Sequence, residues 1–289
     1  MNKKSVVVAV VLAILGIVAY TSVYNKDSGT SVRAANKKIA AGFIYEALNK
    51  KDPAAMDRLV GEVYIQHNPM VGDGKEALNG LLQHITPNVE IVRSIAEGDL
   101  VVQHNKSTGW GDGKTYVSFD VFRMKDNKIV EHWDVMQEMA AKTVSGRTQV
   151  DGPVAIKDMD KTEANKKVVQ GFLDDVVYGH NWNNIAQYIS AETYAQHNPA
   201  VGDGLSGFGE FMASLAKNNV TMAFEKTYRL VAEGDFVFVH SKGEFGGKKV
   251  AFADLFRLEN GKIVEHWDVI QEIPAQTASG HDMFEQVSQ

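Results

Sequence analysis

The chain has 289 residues, a formal net charge of −6 and no cysteine. Because a single domain usually holds about 100–200 residues, this length favours two domains. The lack of cysteine excludes disulfide scaffolds, thiol nucleophiles, cysteine-ligated zinc and iron–sulfur clusters. The acidic balance argues against a nucleic-acid partner, since such a protein needs a basic surface to neutralise phosphates. Chemistry in this chain therefore has to use His, Asp, Glu, Ser or Tyr side chains, or a cofactor.

The first 34 residues have the pattern of a membrane-targeting segment with a short linker. After Lys3 and Lys4, the stretch Ser5–Asn25 carries no charged residue, and Val6–Tyr20 is almost continuously apolar. An apolar helix of about 20 residues spans a bilayer core, so the segment predicts a signal anchor or a cleavable signal peptide. The small-x-small cleavage pattern is poor, which favours the anchor. The two lysines would keep the N-terminus cytoplasmic, which predicts an inner-membrane protein with extracytoplasmic domains; cleavage would instead give a secreted or periplasmic protein.

The rest of the chain is a tandem repeat. Tyr64–Gly74 (YIQHNPMVGDG) returns as Tyr194–Gly204 (YAQHNPAVGDG), with nine of eleven positions identical. Asn127–Glu138 (NKIVEHWDVMQE) returns as Gly261–Glu272 (GKIVEHWDVIQE), with ten of twelve identical. Each copy is long enough for one domain. We therefore predict a leader with linker at 1–34, a first domain at 35–150, a linker at 151–162 and a second domain at 163–289.

Within the first copy, helical patterns precede strand patterns. Apolar residues recur at helical spacing from Ile39 to Leu48. Asp52 followed by Pro53 predicts a capped second helix through Val60, and Asp73 could cap a third. Four apolar strands follow, separated by Gly- and Asp-rich hairpin turns: Val89–Ile95, Leu100–Ser107, Tyr116–Met124 and Ile129–Glu138. Helices followed by an antiparallel sheet predict an α+β fold, with the helices on one sheet face.

The motifs QHNP…GDG, D-[VL]-F-R and GKIVEHWDV-x-QE, in this order, resemble the SnoaL-like branch of the nuclear transport factor 2-like superfamily. Within this branch the chain resembles proteins described as predicted SnoaL-like aldol-condensation enzymes. The resemblance covers both copies and implies two tandem cone-shaped domains, each with a curved sheet enclosing an apolar pocket. It also implies polyketide cyclase-like or isomerase-like activity, and sheet-to-sheet dimerisation. We therefore expect the two domains to form a pseudo-dimer within one chain.

Asp120 and Asp254 are the first candidates for catalysis. Strand alternation places Asp120 on the same sheet face as Ser118 and Phe122, and Asp254 on the same face as Phe252 and Phe256. An apolar environment penalises the charged carboxylate and raises its pKa, which suits a general acid or base. The competing interpretation is a structural carboxylate held by an arginine or by backbone amides.

Three histidine pairs recur between the copies: His67/His197, His104/His240 and His132/His266. The resemblance makes the first pair candidates for a second acid/base or for orienting the substrate, because related isomerases carry a base near this place. The second pair could point inward and contact Asp120 and Asp254, where a His–carboxylate pair would shuttle a proton. The structural alternative is hydrogen bonding of the local turn for the first pair and burial in the core for the second; His132 and His266 are the third pair of catalytic candidates.

The EHWD motif divides between the two faces of a strand. His132 and Asp134 share one face, and Glu131 and Trp133 share the other; the sequence leaves open which pair faces the pocket. Metal-ligand spacings such as HExxH do not occur in the sequence, so we predict neither a metal nor a cofactor.

Two functions remain open. One is cofactor-independent acid/base catalysis, such as aldol condensation, cyclisation or isomerisation, on a small apolar carbonyl compound, in which Asp120 and Asp254 move the proton. The other is a membrane-tethered binding module for a small apolar ligand or a protein partner.

Overall fold

The computed structural model describes residues 29–286. The candidate signal segment Ser5–Asn25 lies outside this range. Among the described residues, no helix combines the length and the apolar character needed to cross a membrane.

The first domain is built from helices followed by four strands, as predicted, with one further strand, β1, between the second and third helices. Residues 29–42 form helix α1, which continues as a π-helical segment, Phe43–Asn49. The Asp52 side chain accepts the N–H of Ala54 and Pro53 opens α2, so the predicted capping is confirmed; the helix ends one residue before Val60, which begins a strand. The remaining bounds are α2 Pro53–Leu59, β1 Val60–Gln66, α3 Gly74–Leu82, β2 Asn88–Glu97, β3 Leu100–Thr108, β4 Tyr116–Lys125 and β5 Lys128–Glu138.

The second domain repeats this order, with elements of different length. Its α6 is longer than α3, with 14 residues against 9, and its β6 is shortened to two residues. The bounds are α4 Thr162–Phe172, continuing as π-helical Leu173–Tyr178, α5 Ile185–Tyr188, β6 Ala195–Gln196, α6 Gly204–Lys217, β7 Met222–Glu233, β8 Phe236–Phe245, β9 Lys248–Glu259 and β10 Lys262–Glu272. Short 3₁₀ turns lie at Met159–Lys161 and Trp182–Asn184.

Each domain has one five-stranded sheet, with strand order β1-β5-β4-β3-β2 in the first and β6-β10-β9-β8-β7 in the second. The strands from β2 to β5 and from β7 to β10 pair as antiparallel hairpins. The last strand of each domain, β5 or β10, is its closing strand, and β1 runs parallel to β5 as β6 does to β10. The helices of each domain pack on one face of its own sheet. The predicted α+β class with two tandem domains is confirmed, whereas the predicted domain limits stay predictions.

The other face of each sheet packs against the other domain. One hydrophobic cluster contains strand residues from both sheets, including Phe119, Trp133, Phe238 and Trp267. The rings of Phe119 and Phe238 lie 5.3 Å apart across this boundary. Both tryptophans are fully buried. The two domains therefore share one core and form the expected pseudo-dimer within the chain.

Hydrogen bonds across the boundary come in matched pairs. The side chain of Glu233 accepts the N–H of Ala96, and Glu97 accepts the N–H of Ala232, each at 2.8 Å. Near the far end of the closing strands, Gln137 accepts the N–H of Ile270 at 2.6 Å, and Gln271 accepts the N–H of Met136 at 2.8 Å. This exchange is what a two-fold relationship between the domains produces.

Candidate active site

Asp120 and Asp134 face each other on neighbouring strands of the first domain, on the face that looks toward the helices. They are direct partners in the β4–β5 register. His132, two residues before Asp134, lies on the same face, and its Nε2 is 3.0 Å from Asp120 Oδ1. Like charges placed directly opposite each other on neighbouring strands destabilise a sheet. The Asp120–Asp134 pair is therefore not explained by the stability of the fold.

Gln66, at the end of β1, fixes the orientation of His132. Its Oε1 lies 3.0 Å from His132 Nδ1 and also accepts the N–H of Asn68 at 2.9 Å. Gln66 Oε1 and the Asp120 carboxylate are both acceptors, so the ring makes both hydrogen bonds only when each nitrogen carries a proton. The Gln66 amide also donates to the hydroxyl of Tyr64 at 3.3 Å.

Asp134 has one satisfied and one unsatisfied oxygen. Asn68 Nδ2 donates to Oδ2 at 2.6 Å, while Oδ1 is buried and has no hydrogen-bond partner among residues 29–286. Burial raises the pKa of Asp134 to about 6; the charge of His132 opposes this shift, and the charge of Asp120 adds to it. Such a carboxyl is mostly ionised at neutral pH and still basic enough to accept a proton.

Burial shapes the protonation of the two neighbouring groups. Burial disfavours the His132 imidazolium, but the hydrogen bond to Asp120 and the nearby carboxylates outweigh it and raise the pKa of His132. Burial, with the charges of Asp134 and Asp120, also raises the pKa of Tyr64. The phenol therefore stays protonated and keeps its O–H as a donor.

The second domain repeats these contacts closely. His266 Nε2 lies 3.0 Å from Asp254 Oδ1, and Nδ1 lies 3.1 Å from Gln196 Oε1. Asn198 donates to Asp268 Oδ2 at 2.6 Å, and Asp268 Oδ1 again has no partner within the described part of the chain. Burial raises the pKa of Asp268 to about 6 and also raises the pKa of Tyr194.

The two sites differ in the residues that surround Asp120 and its counterpart Asp254. Asp120 Oδ2 accepts from Ser118 Oγ at 2.8 Å and from Asn105 Nδ2 at 2.9 Å. The matching positions in the second domain are Phe252 and Ser241, and Phe252 stacks on Phe224 at 4.4 Å. The two hydrogen bonds from Ser118 and Asn105 therefore have no counterpart at Asp254, which contacts His266, while Asp120 is held from three sides.

Each site closes one end of an apolar cavity. In the second domain the cavity measures about 120 Å³, and α6 contributes Phe208, Phe211 and Met212 to its wall. In the first domain the space divides into neighbouring cavities of about 60 and 340 Å³, which share Asp120 and Asp134 as lining residues. An apolar wall with a few convergent polar groups is the usual form of a small-molecule site.

The structure places His67 and His197 away from this site, at the boundary between the domains. His67 Nε2 lies 3.0 Å from Glu131 Oε1, and its ring stacks on Trp133. Arg123 completes the cluster by donating to Glu131 at 3.0 Å. His197 makes the same contacts with Glu265 and Trp267. These histidines are 1% and 0% exposed, which favours their structural interpretation over a place at the pocket mouth.

The expected pairing of His104 with Asp120, and of His240 with Asp254, is wrong. Strand alternation turns both rings toward the other domain, where Arg93 donates to His104 Nδ1 at 3.1 Å and Arg229 to His240 Nδ1 at 3.3 Å. Burial, together with the adjacent guanidinium, lowers the pKa of each histidine well below its ordinary value. Both rings are neutral parts of the shared core.

Of the residues that the sequence singled out, the structure brings together Asp120 with His132 and Asp254 with His266. It also shows which face of the EHWD strand meets the pocket: His132 and Asp134 face the pocket, while Glu131 and Trp133 face the other domain. The candidates that sequence reasoning missed are Asp134 and Asp268. The cross-strand position opposite Asp120 and Asp254 was the signal that could have found them.

The same groups could also hold a divalent cation. In each domain the donor atoms of the Asp–His–Asp group lie within 4.8 Å of one another, and among residues 29–286 these are the two such groups. Two carboxylates and one imidazole are a donor set that transition metals accept. In each site the His–Asp hydrogen bond joins the imidazole to one carboxylate, Asp120 or Asp254, while one oxygen of the other carboxylate has no partner among the described residues.

Comparison with known proteins agrees with the repeat. Residues 43–132 match the family of the SnoaL-like domain, and residues 167–278 match the SnoaL-like polyketide cyclase family. No curated protein matches the chain.

Several solved structures resemble parts of the chain. TsrD from Streptomyces laurentii is 23% identical, with 36% of this chain and 90% of that chain covered and a TM-score of 0.32. An LEH-like epoxide hydrolase from M. tuberculosis is 18% identical, with 36% and 84% covered and a TM-score of 0.33. An NTF2-like protein of unknown function from Cytophaga hutchinsonii is 21% identical, with 35% and 89% covered and a TM-score of 0.32. Since both halves match SnoaL-like families and share one fold, the chain belongs to the SnoaL-like proteins and carries two such domains in tandem.

Proposed function

We propose that the protein is a cofactor-independent acid/base enzyme that removes a proton next to the carbonyl group of a small apolar compound. The family and the pockets support a small-molecule binding or catalytic role. The observation that carries the finer proposal is the Oδ1 atom of Asp134 and of Asp268. Each is buried and unpartnered at the polar end of an apolar cavity, on a carboxyl with a pKa of about 6.

Asp268, and Asp134 in the first domain, would be the general base. The sequence assigned this role to Asp120 and Asp254, but each of these carboxylates is paired with a histidine, His132 or His266, at 3.0 Å. Asp120 is also held by Ser118 and Asn105. The base takes the C–H proton and leaves an enolate, whose carbon then attacks a second carbonyl or is reprotonated elsewhere. General-base catalysis of this kind contributes about 10²–10⁴-fold.

Tyr194, and Tyr64 in the first domain, would donate a hydrogen bond to the enolate oxygen. The hydroxyl of each accepts from a glutamine amide at 3.3 Å, which leaves the O–H free to point elsewhere. A neutral donor placed before the reaction stabilises the developing oxyanion without reorganisation. His266 would keep Asp268 ionisable, because the imidazolium charge opposes the effect of burial on that carboxyl.

Deuterium exchange tests this proposal without knowledge of the full reaction. A panel of apolar ketones is incubated with the full chain in D₂O, and loss of the proton next to the carbonyl is followed by NMR. We expect exchange above background with the wild type, and background exchange with the double variant Asp134→Asn/Asp268→Asn. Exchange that survives treatment with a chelator excludes a required metal. Ligand binding with no exchange would favour the binding module instead.

We also propose that the segment Ser5–Asn25 tethers the protein to the inner membrane, with both domains outside the cytoplasm. The support is the charge-free apolar run after Lys3 and Lys4. Fractionation of cells expressing the full chain tests it: membrane-bound protein is expected, and cytosolic protein would contradict it. Soluble periplasmic protein would show a cleaved signal peptide.

A further inference from the structure

The segments that follow the two closing strands repeat each other as well. Thr143–Arg147 reads TVSGR, and Thr277–His281 reads TASGH, with the same offset of 134 residues that separates the two EHWD motifs. In both, the threonine hydroxyl donates to the backbone carbonyl of the last residue, Arg147 or His281. The two segments fall near the ends of the predicted domain ranges 35–150 and 163–289. We call these two segments the first and second tails.

The first tail lies on the second domain. Arg147 donates through two nitrogens to the carboxylate of Asp203, at 3.2 and 2.9 Å. Ser145 Oγ donates to the backbone carbonyl of Gln196 at 2.7 Å. These contacts lie at the end of β6 and the start of α6, where the second pocket is built.

The second tail makes the reciprocal contacts on the first domain. His281 Nε2 lies 2.9 Å from Asp73 Oδ2, and the N–H of Ala278 donates to the carbonyl of Pro69 at 2.8 Å. Val144 in the first tail likewise donates to the carbonyl of Pro199, at 3.0 Å. Each tail therefore holds a loop of the opposite domain: the first tail holds the loop between β6 and α6, and the second tail holds the loop between β1 and α3.

A short chain of hydrogen bonds connects each tail to a pocket histidine. Asp203 Oδ1 accepts the backbone N–H of Gln196 at 2.8 Å, and Gln196 Oε1 meets His266 Nδ1 at 3.1 Å. In the first domain, Asp73 accepts the N–H of Gln66 at 2.8 Å. Both glutamines are almost completely buried. Each glutamine thus lies between a pocket histidine and an aspartate held by the other domain.

We propose that Arg147 and His281 are positioning residues that act across the domain boundary: Arg147 orients Gln196 and His266 in the second pocket, and His281 orients Gln66 and His132 in the first. Each pocket is then completed by the tail of the other domain. The inference depends on the proposed function only in treating the pocket histidines as functional groups. The two connections differ in strength, because the guanidinium makes two hydrogen bonds to its aspartate and the imidazole makes one.

The side-chain ¹⁵N resonances of the pocket histidines give a direct test in the full chain. Signals of His132 and His266 are assigned from His132→Gln and His266→Gln. Arg147→Ala should shift the imidazole signals of His266 and leave those of His132 in place. His281→Ala should do the opposite. This readout needs no substrate, so failure of the positioning proposal is distinguishable from failure of the proposed chemistry.

Conservative replacement separates positioning from general stability. Arg147→Lys keeps a positive charge next to Asp203 and should restore most of the His266 signals. A loss of folding would instead affect both domains and would be seen by circular dichroism. Both Arg147 and Asp203 are partly exposed, with side chains 41% and 43% accessible, so the alanine variant should fold. A shift in the histidine of the tail's own domain, or no shift in either histidine, would overturn the proposal.

Turnover adds a second readout if the ketone exchange is observed. In a chain whose first pocket is inactivated by Asp134→Asn, Arg147→Ala should lower kcat by up to about 10²-fold, since small misplacements of catalytic groups have effects of this order. The same substitution in an Asp268→Asn chain reports only on the first pocket and should leave its rate unchanged. Equal losses in the two backgrounds would contradict action across the boundary.

Discussion

Asp254 and Asp268 lie directly opposite each other on neighbouring antiparallel strands, and they differ in how their oxygens are satisfied. Asp254 contacts His266 through Oδ1, whereas Asp268 is bound by Asn198 and keeps one buried oxygen without a partner in the described structure. Two carboxylates with different surroundings acquire different proton affinities, and such a difference separates the roles of acid, base and charge partner.

Asp268→Asn should reduce second-pocket catalysis more than Asp254→Asn does. The first change removes the proposed base and should cost about 10²–10⁴-fold in kcat, while the second removes a charge partner and leaves the base in place. Both are measured in an Asp134→Asn chain so that only the second pocket contributes. A larger loss with Asp254→Asn would return proton transfer to the residue that the sequence had favoured.

The rate should follow the ionisation of the base. Because Asp134 and Asp268 have a pKa of about 6, kcat/KM should rise about tenfold per pH unit below 6 and level off above it. A pH–rate profile of ketone exchange checks this. A rate that is already constant between pH 4 and 6 would exclude these carboxyls as the base.

Stability should depend on pH in the direction opposite to that of an ordinary aspartate. Folding raises the pKa of Asp268 from 3.8 to about 6, so the folded state binds this proton more tightly than the unfolded state. The resulting stability is fully present below pH 3.8 and is lost as the pH rises through 6.

Asp268→Asn should consequently be the more stable protein at pH 8, by up to about 3 kcal/mol, and the gain should shrink toward pH 4. Denaturant unfolding at the two pH values measures the difference. The matching variant Asp134→Asn should behave alike. An equal effect at both pH values would show that ionisation of the carboxyl is not its cause.

Phe252→Ala and Ser118→Ala are a matched pair at equivalent positions. Removing Phe252 deletes a ring that is buried and stacked on Phe224 and should cost about 3–5 kcal/mol of unfolding free energy. Removing the Ser118 hydroxyl deletes one hydrogen bond to Asp120 and should cost about 1–2 kcal/mol. Both losses are measured by denaturant unfolding. Similar losses would contradict the interpretation that hydrogen bonding at Ser118 in the first domain is replaced by ring packing at Phe252 in the second.

The two halves should associate when they are produced separately. Residues 29–158 and 159–289 would each expose the apolar sheet face that carries Trp133 or Trp267, both of which are fully buried in the shared core. Sedimentation of the mixed halves should show a 1:1 complex. Halves that stay monomeric when mixed would show that the shared core is not needed by either domain.

The sequence predicted the strands well because each hairpin carries its own local signal. Alternation in the EHWD strand, the Gly- and Asp-rich turns and the Asp52–Pro53 cap are all set by residues near one another in the chain. Nothing local determines which face of a sheet meets the other domain, so the sequence could not choose between His132 and Trp133 as the pocket residue. For the same reason the sequence did not identify Asp134 as a pocket residue and wrongly placed His104 in the pocket. The burial of His104 depends on Arg93 and on the second sheet.

The tails show a further limit of sequence reasoning. The segment TVSGRTQVDGP has the composition of a linker, and its hydrogen-bond partners Gln196 and Asp203 lie about 50 residues away. A contact of this range leaves no periodic pattern in the tail itself. The repeated TxSG sequence was the available signal, but it had no evident meaning until its contacts were known.

Joining the two domains in one chain has a consequence for how their sites can vary. In a pair of identical subunits, any substitution appears in both sites, so a polar group that suits one is imposed on the other. Here Phe252 alters the surroundings of Asp254 while Ser118 and Asn105 continue to hold Asp120. One polypeptide is therefore free to offer two chemically distinct compartments built on the same set of aspartates and histidines.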